Sequence, residues 1–157
     1  MGMHTMNPES RMWFYGLKTP MNAAQSAELK GIMDDFVGGW KAHGAQLAAA
    51  YRLIANQFLI IAVDETQQQA TGCSIDKSVH LLQEFGENHD LDFFNRMLVH
   101  VMENGTFTSY ATAELKAAIA EGKIGPNTQI MNTTAATLKE SGMGTLDLAD
   151  SWAAKYL

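Results

Sequence analysis

Phe58-Leu59-Ile60-Ile61-Ala62-Val63-Asp64-Glu65 is an unbroken apolar, largely β-branched run that closes on two carboxylates, the pattern of a strand buried on both faces. A polar loop follows. Then comes Gly72-Cys73-Ser74-Ile75-Asp76-Lys77-Ser78-Val79-His80, whose Gly-Cys-Ser-Ile-Asp segment reads as the start of a helix. A strand that emerges into water beside a helix N-terminus is where this chain is expected to build a site.

The flanking segments fix the fold class. Just upstream, Gln46 to Ile54 alternates softly, with Leu47, Ala49, Tyr51 and Leu53 on one side. The Ala55-Asn56-Gln57 bend is so short that this run must pair antiparallel with Phe58–Val63. Met12 to Lys18 is aromatic-rich, is bounded by Thr19-Pro20 and suits a first strand. From Ala23 to Trp40, Leu29, Ile32, Met33, Phe36, Val37 and Trp40 draw one helical stripe, with Asn22 as N-cap and His43-Gly44 as the stop. Ile75, Val79, Leu82 and Phe85 mark a second amphipathic helix ending near Gly86. Met97 to Met102 is a further strand, and Asn104-Gly105 is a hairpin turn into Phe107–Tyr110.

Strand, helix, strand, strand, helix, strand is the order of an α+β, ferredoxin-like βαββαβ core, here residues 12–103, with both helices on one face of an antiparallel sheet. The other face needs a cover, supplied by the rest of the chain or by a second copy in a homodimer. Residues 104–157 read as an extension of the same single domain, 1–157. Thr112 caps a helix through Glu121, Thr128–Met131 suits a short strand, and a weak helix spans Thr133–Glu140. Leu148, Trp152 and Tyr156 form a C-terminal helical stripe that would dock on the body and cover the open face. Residues 1–10 carry no periodicity and read as a loose N-terminus.

Composition narrows the function classes. With 46% hydrophobic and 18% charged residues the chain of 157 residues is globular. A net charge of −6 and eleven scattered Lys and Arg argue against nucleic-acid or anionic-membrane partners, which require clustered cations. One cysteine excludes an intramolecular disulfide. With no charged-then-apolar leader before Met12, the simplest setting is a reducing, cytoplasmic one. No apolar run approaches the roughly 20 residues of a membrane span.

The runs Phe58–Glu65 and Gly72–Val79, with a weaker likeness at the helix ending in Trp40 and at Asp150-Ser151-Trp152, resemble a family of short uncharacterised bacterial proteins. Some of these carry the label "ABC transporter ATPase". The resemblance implies no established activity, and the label fails a physical test. An ATP-binding P-loop needs G-x-x-x-x-G-K-[ST] to surround the phosphates with amides and place a Lys on their charge. This chain contains no such segment.

The candidate ligand-binding residues are Asp64, Gly72, Cys73, Ser74, Asp76 and Lys77. A helix start presents unpaired amides to an anion, Gly72 would let a ligand or another backbone come close, and Ser74 can cap the helix or touch a ligand. Cys73 near Lys77 would favour the thiolate, whereas Asp76 opposes it and no second Cys exists to resolve an oxidised thiol. Cys73, Asp76 and His80 fall on one helical stripe, yet seven residues of helix rise about 10 Å, so Cys73 and His80 cannot share a hydrogen bond. Ser74-x-x-Lys77 lacks the companion motifs of acylating serine enzymes. Asp64, Glu65 and Asp76 could hold a hard cation, but equally stand as solvated carboxylates, and no metal is assigned. His100, in a strand, reads as a paired core or interface residue.

Two readings follow. The first is a small cytoplasmic, non-catalytic binding or self-association module needing no cofactor, in which Cys73 and Ser74 are buried beside no cavity. The alternative is a small anionic-ligand-binding protein or enzyme using Gly72 to Lys77, which requires an open pocket at the strand end.

Overall fold

The computed structural model describes residues 2–141 and 144–157. Met1 of the expected loose end, and Gly142 and Met143 of the expected extension, lie outside the described residues. The fold is α+β, with antiparallel sheets. It divides into two compact units, Met1–Phe94 with Ala135–Glu140, and Asn95–Thr134 with Ser141–Leu157.

In the first unit, β1 (Arg11–Gly16), β4 (Ala48–Ile54) and β5 (Phe58–Asp64) form an antiparallel sheet in the order β1-β5-β4. The apolar run thus becomes the central strand, Ile61 standing between Trp13 of β1 and Tyr51 of β4. Its alternate residues serve two cores. Leu59, Ile61 and Val63 pack with Leu29 and Met33 of α1 (Ala23–Gly39) and with Leu82 and Phe85 of α2 (Gly72–His89). Ala62, on the opposite face, packs with Met12, Ala50, Met6 and Ala135, and Met3 and Leu138 lie against them. A strand with apolar residues on both faces needs cover on both, and here both are covered from within the unit.

That cover corrects two expectations. Residues 3–10 are not a loose end: Met3–Thr5 forms a 3-10 turn, and Met6 and Ser10 are buried. The second face is covered by the rest of the chain, one of the two covers expected, but through Met3, Met6, Ala135 and Leu138 and not through a C-terminal helix.

The expected succession is interrupted by a two-stranded hairpin over 41–46 between α1 and β4, and its sixth member, though a strand, does not pair with β1. The edge of β1 where a fourth strand would join is taken by a segment far along the chain. Met12 N–H donates to the Ala136 carbonyl at 2.9 Å, and Arg11 bridges Thr137. With that edge filled, the strand expected over Met97–Met102 pairs elsewhere, within the second unit.

Local chemistry explains most of the element ends. Asn22 accepts from Gln25 N–H at 2.8 Å, and Gln25 Oε1 accepts from Asn22 N–H in return, a reciprocal cap that starts α1 where the sequence predicts it. His43-Gly44 does not stop that helix. The helix ends at Gly39, and both residues adopt left-handed φ (51° and 77°) to turn a small hairpin between β2 (Lys41–Ala42) and β3 (Ala45–Gln46). The β4–β5 hairpin also turns on two left-handed residues, Ala55 (φ 54°) and Asn56 (φ 55°). It is anchored by Met21 N–H to the Asn56 carbonyl and by Gln57 Nε2 to the Leu17 carbonyl, at 2.8 and 2.7 Å.

The second unit carries β6 (Val99–Glu103), β7 (Thr106–Tyr110), β8 (Gln129–Met131) and β9 (Thr145–Asp147) in the order β7-β6-β8-β9. Asn104 (φ 51°) and Gly105 (φ 79°) make the tight turn that the sequence predicts between β6 and β7. Val99, Val101, Leu115, Ile130, Leu148 and Ala153 are its core. The helix α3 (Thr112–Ala120) is capped not by Thr112 but by Glu114, whose Oε1 accepts from Ala111 N–H at 2.9 Å. The weak helix expected over 133–140 shortens to α4 (Leu138–Ser141). The C-terminal stripe is two 3-10 turns, Leu148–Asp150 and Trp152–Tyr156, rather than an α-helix.

Candidate functional site

The strand end and the helix start come out as the sequence predicts, β5 running to Asp64 and α2 beginning at Gly72. What their polar groups do is the informative part. Asp64 Oδ1 accepts from Thr66 N–H at 3.1 Å and from Thr66 Oγ1 at 2.8 Å, closing a local turn. Glu65 Oε2 accepts from Ala70 N–H at 2.9 Å and holds the loop. Thr71, the residue before the stretch singled out in the sequence, is the true N-cap, its Oγ1 accepting from Ser74 N–H at 3.2 Å. Ser74 Oγ in turn accepts from Thr71 N–H at 2.7 Å and lies 2.8 Å from the Thr71 carbonyl, to which it donates. Ser74 is buried, at 1% exposure, and its own carbonyl accepts from Trp40 Nε1 at 2.8 Å. Of the two roles open to Ser74, the cap is the one it plays.

Cys73 is exposed, whereas the first of the two readings requires it buried with Ser74, and that part of the reading is corrected. Gly72, Asp76 and Lys77 are exposed as well. A Cβ added at Gly72 would meet nothing within 4 Å beyond its chain neighbours and its own helix. His80 shares α2 with Cys73 and Asp76, so the axial separation that excludes a triad stands. Among the described residues no three His, Cys, Asp or Glu side chains are grouped to hold a metal ion.

Open concave surface lies elsewhere in the same unit. A groove of about 650 Å³ follows β4 from Ala48 to Leu53 and is walled on one side by Lys30, Asp34, Val37 and Gly38 of α1. Those four positions recur at helical spacing and so belong to one face. Gly2 and Met3 line its far side. Across one wall the Tyr51 hydroxyl donates to Asp34 Oδ1 at 2.7 Å, with the Lys30 carbonyl oxygen 3.1 Å away. Burial and the Asp34 carboxylate together push the Tyr51 hydroxyl up to about 12. A second groove, of about 550 Å³, is lined by Leu82, Gln83, Gly86, Glu87, Asp90 and Asp92 among others, at the C-terminal end of α2.

Sequence reasoning places Leu47, Ala49, Tyr51 and Leu53 on one side of a strand but does not mark that strand as an edge. The signal was available, because β4 has one short connection to its only sequence-adjacent partner and carries Arg52 in its middle, a charge typical of an unpaired edge. His100 is buried in the second unit and shares a 2.5 Å hydrogen bond between its Nδ1 and Ser109 Oγ, directly across the β6–β7 ladder. That is the paired core residue the sequence suggests. Among the described residues no helix is long and apolar enough to cross a membrane. Comparison of the chain with protein-family models, with curated proteins and with solved structures finds no match.

Proposed function

We propose that this chain is a non-catalytic binding module of the cytoplasm, whose working surface is the groove along the outer edge of β4. One observation carries the reading. β4 ends its sheet, and among the described residues the outward backbone groups of Ala48–Leu53 have no hydrogen-bond partner, while a groove of about 650 Å³ opens directly onto them. An unpaired edge beside a helix wall is the geometry by which a partner strand is added to a sheet. The strand-end turn argues the other way for itself. Thr71, Ser74, Asp64 and Glu65 are engaged in capping and closing their own loop, which supports a structural role for these side chains. We also read β1-α1-β4-β5-α2, with its first-third-second strand order, as the portion of a ferredoxin-like arrangement that this chain retains.

Amide hydrogen exchange on the full chain tests the reading. Half of the β4 amides, those facing outward, should exchange as fast as exposed loop, while β5 is protected throughout. Protection along the whole of β4 would mean that its edge is already covered and would end the proposal. A parallel thermal scan with millimolar inorganic phosphate, pyrophosphate and nucleotides should leave the melting temperature unchanged. A rise abolished by Lys77→Ala would instead favour an anion site at Gly72 to Lys77.

A further inference from the structure

We infer that the β4 groove takes an acidic peptide in extended conformation, added as a fourth strand to the β1-β5-β4 sheet. This rests on the binding-module reading and names the ligand class. The strand offers seven residues, roughly 23 Å of edge at about 3.3 Å per residue. Main-chain hydrogen bonds along such an edge supply affinity for any extended chain, and the side chains on either side of it supply the choice.

Those side chains are cationic on both faces. Tyr51 and Leu53 point to the α1 face, where Lys30 stands on the helix wall. Arg52, of opposite parity, shares the other face with Ala50. Both Lys30 and Arg52 are exposed, and neither makes an ion pair among the described residues. The groove's one acid, Asp34, already accepts the Tyr51 hydroxyl. In a chain of net charge −6, two unpaired cations flanking a free strand edge select for carboxylates.

The same charges disfavour a second copy. Two β4 edges in antiparallel register would bring two Lys30 and two Arg52 to one seam, with only the engaged Asp34 of each copy to offset them. Side chains of an added strand alternate between the faces, so a ligand that meets both cations carries its two acidic residues at an odd spacing, one for each face.

Selection of random octapeptides on the immobilised full chain, followed by amide-shift mapping of the enriched sequences, tests this. The expected peptides hold two Asp or Glu an odd number of residues apart among β-branched residues, and their shifts centre on residues 48–53. The double variant Lys30→Glu/Arg52→Glu, altered only at exposed positions, should weaken them at least tenfold and select basic peptides in their place. Enriched peptides that bind at 48–53 without acidic preference would overturn the acidic ligand and spare the binding module. Shifts centred elsewhere, or a dimer through β4 in sedimentation, would overturn the proposal itself. Finding no binder on a chain whose β4 amides exchange freely would overturn the ligand assignment alone, whereas a protected β4 removes the module reading with it.

Discussion

Trp40 Nε1 donates to the Ser74 carbonyl at 2.8 Å, tying the residue that ends α1 to the first turn of α2. Thirty-four positions separate the two, and the bond is buried. The indole also packs against Phe36, with ring centres 4.9 Å apart, and edge-on to Trp13 at 6.3 Å. Trp40→Phe keeps most of the ring contact and deletes the donor, so it should cost about 1–2 kcal/mol. Trp40→Ala removes both and should cost roughly 3–5 kcal/mol. Urea denaturation of the two variants separates the bond from the packing. No loss in Trp40→Phe would mean that the hydrogen bond contributes nothing of its own, and equal losses in the two would mean that the ring packing adds nothing to it.

The residues around Ser74 should respond very unequally to truncation. Thr71→Ala and Ser74→Ala each break one half of the reciprocal cap and should destabilise by about 1 kcal/mol. Cys73, between them and exposed, should tolerate Ala within about 0.5 kcal/mol. If Cys73→Ala were the costliest of the three, the assignment of this turn to structure would be wrong.

Gly86 and Gly72 both punctuate α2, yet for different reasons. Gly86 does not end the helix, as its place in the sequence suggests, but lies buried within it, and its carbonyl accepts from Leu91 N–H at 2.8 Å. A Cβ there would stand 2.3 Å from the Leu91 carbonyl oxygen, a backbone atom that cannot swing aside. Gly86→Ala should therefore cost about 3 kcal/mol despite the better helix propensity of Ala. Gly72→Ala, in open space, should be neutral or slightly stabilising. Melting curves of the two variants provide the comparison, and a neutral Gly86→Ala would show that the chain after α2 can move away.

What could be read in advance was whatever is written locally. Phe58–Val63 announces a strand buried on both sides by its lack of alternation, Asn22 and Gln25 announce a helix start, and Asn104-Gly105 a turn. Pairing at a distance was not written there. The apolar pattern of Met97–Met102 makes a strand in any sheet, and nothing in it tells whether its partner is β1 or β8. The answer lies in Ala136 and Thr137, which claim the β1 edge and carry no periodic signal. Met3 and Met6 cover a sheet face as single side chains from an aperiodic segment, so the need for a cover was legible and its source was not. At the candidate site, Gly72-Cys73-Ser74 reads alike as a cap or as a ligand cradle. The distinguishing residue, Thr71, becomes visible only when the reciprocal pairing with Ser74 is considered.

Tyr51 gives the β4 groove a titration of its own. Its hydroxyl is pushed up to about 12 by burial and by the hydrogen bond to Asp34, whereas in the unfolded chain it titrates near the ordinary value of about 10. Between those two pH values the unfolded chain has released a proton that the folded chain still binds, so unfolding is favoured as the pH climbs. The tyrosine's contribution is intact below about pH 10 and is lost as the pH rises through about 12. Burial and Glu103 also raise the Tyr110 hydroxyl, so phenolate absorbance at 295 nm should show a late-ionising component that loses one tyrosine's amplitude, not all of it, in Tyr51→Phe. Urea midpoints taken from pH 9 to 11.5 should fall more steeply for the unaltered chain than for that variant. Parallel curves, or a Tyr51 transition near pH 10 in the difference spectrum, would mean that the contact to Asp34 does not persist in solution and that this wall of the groove is open.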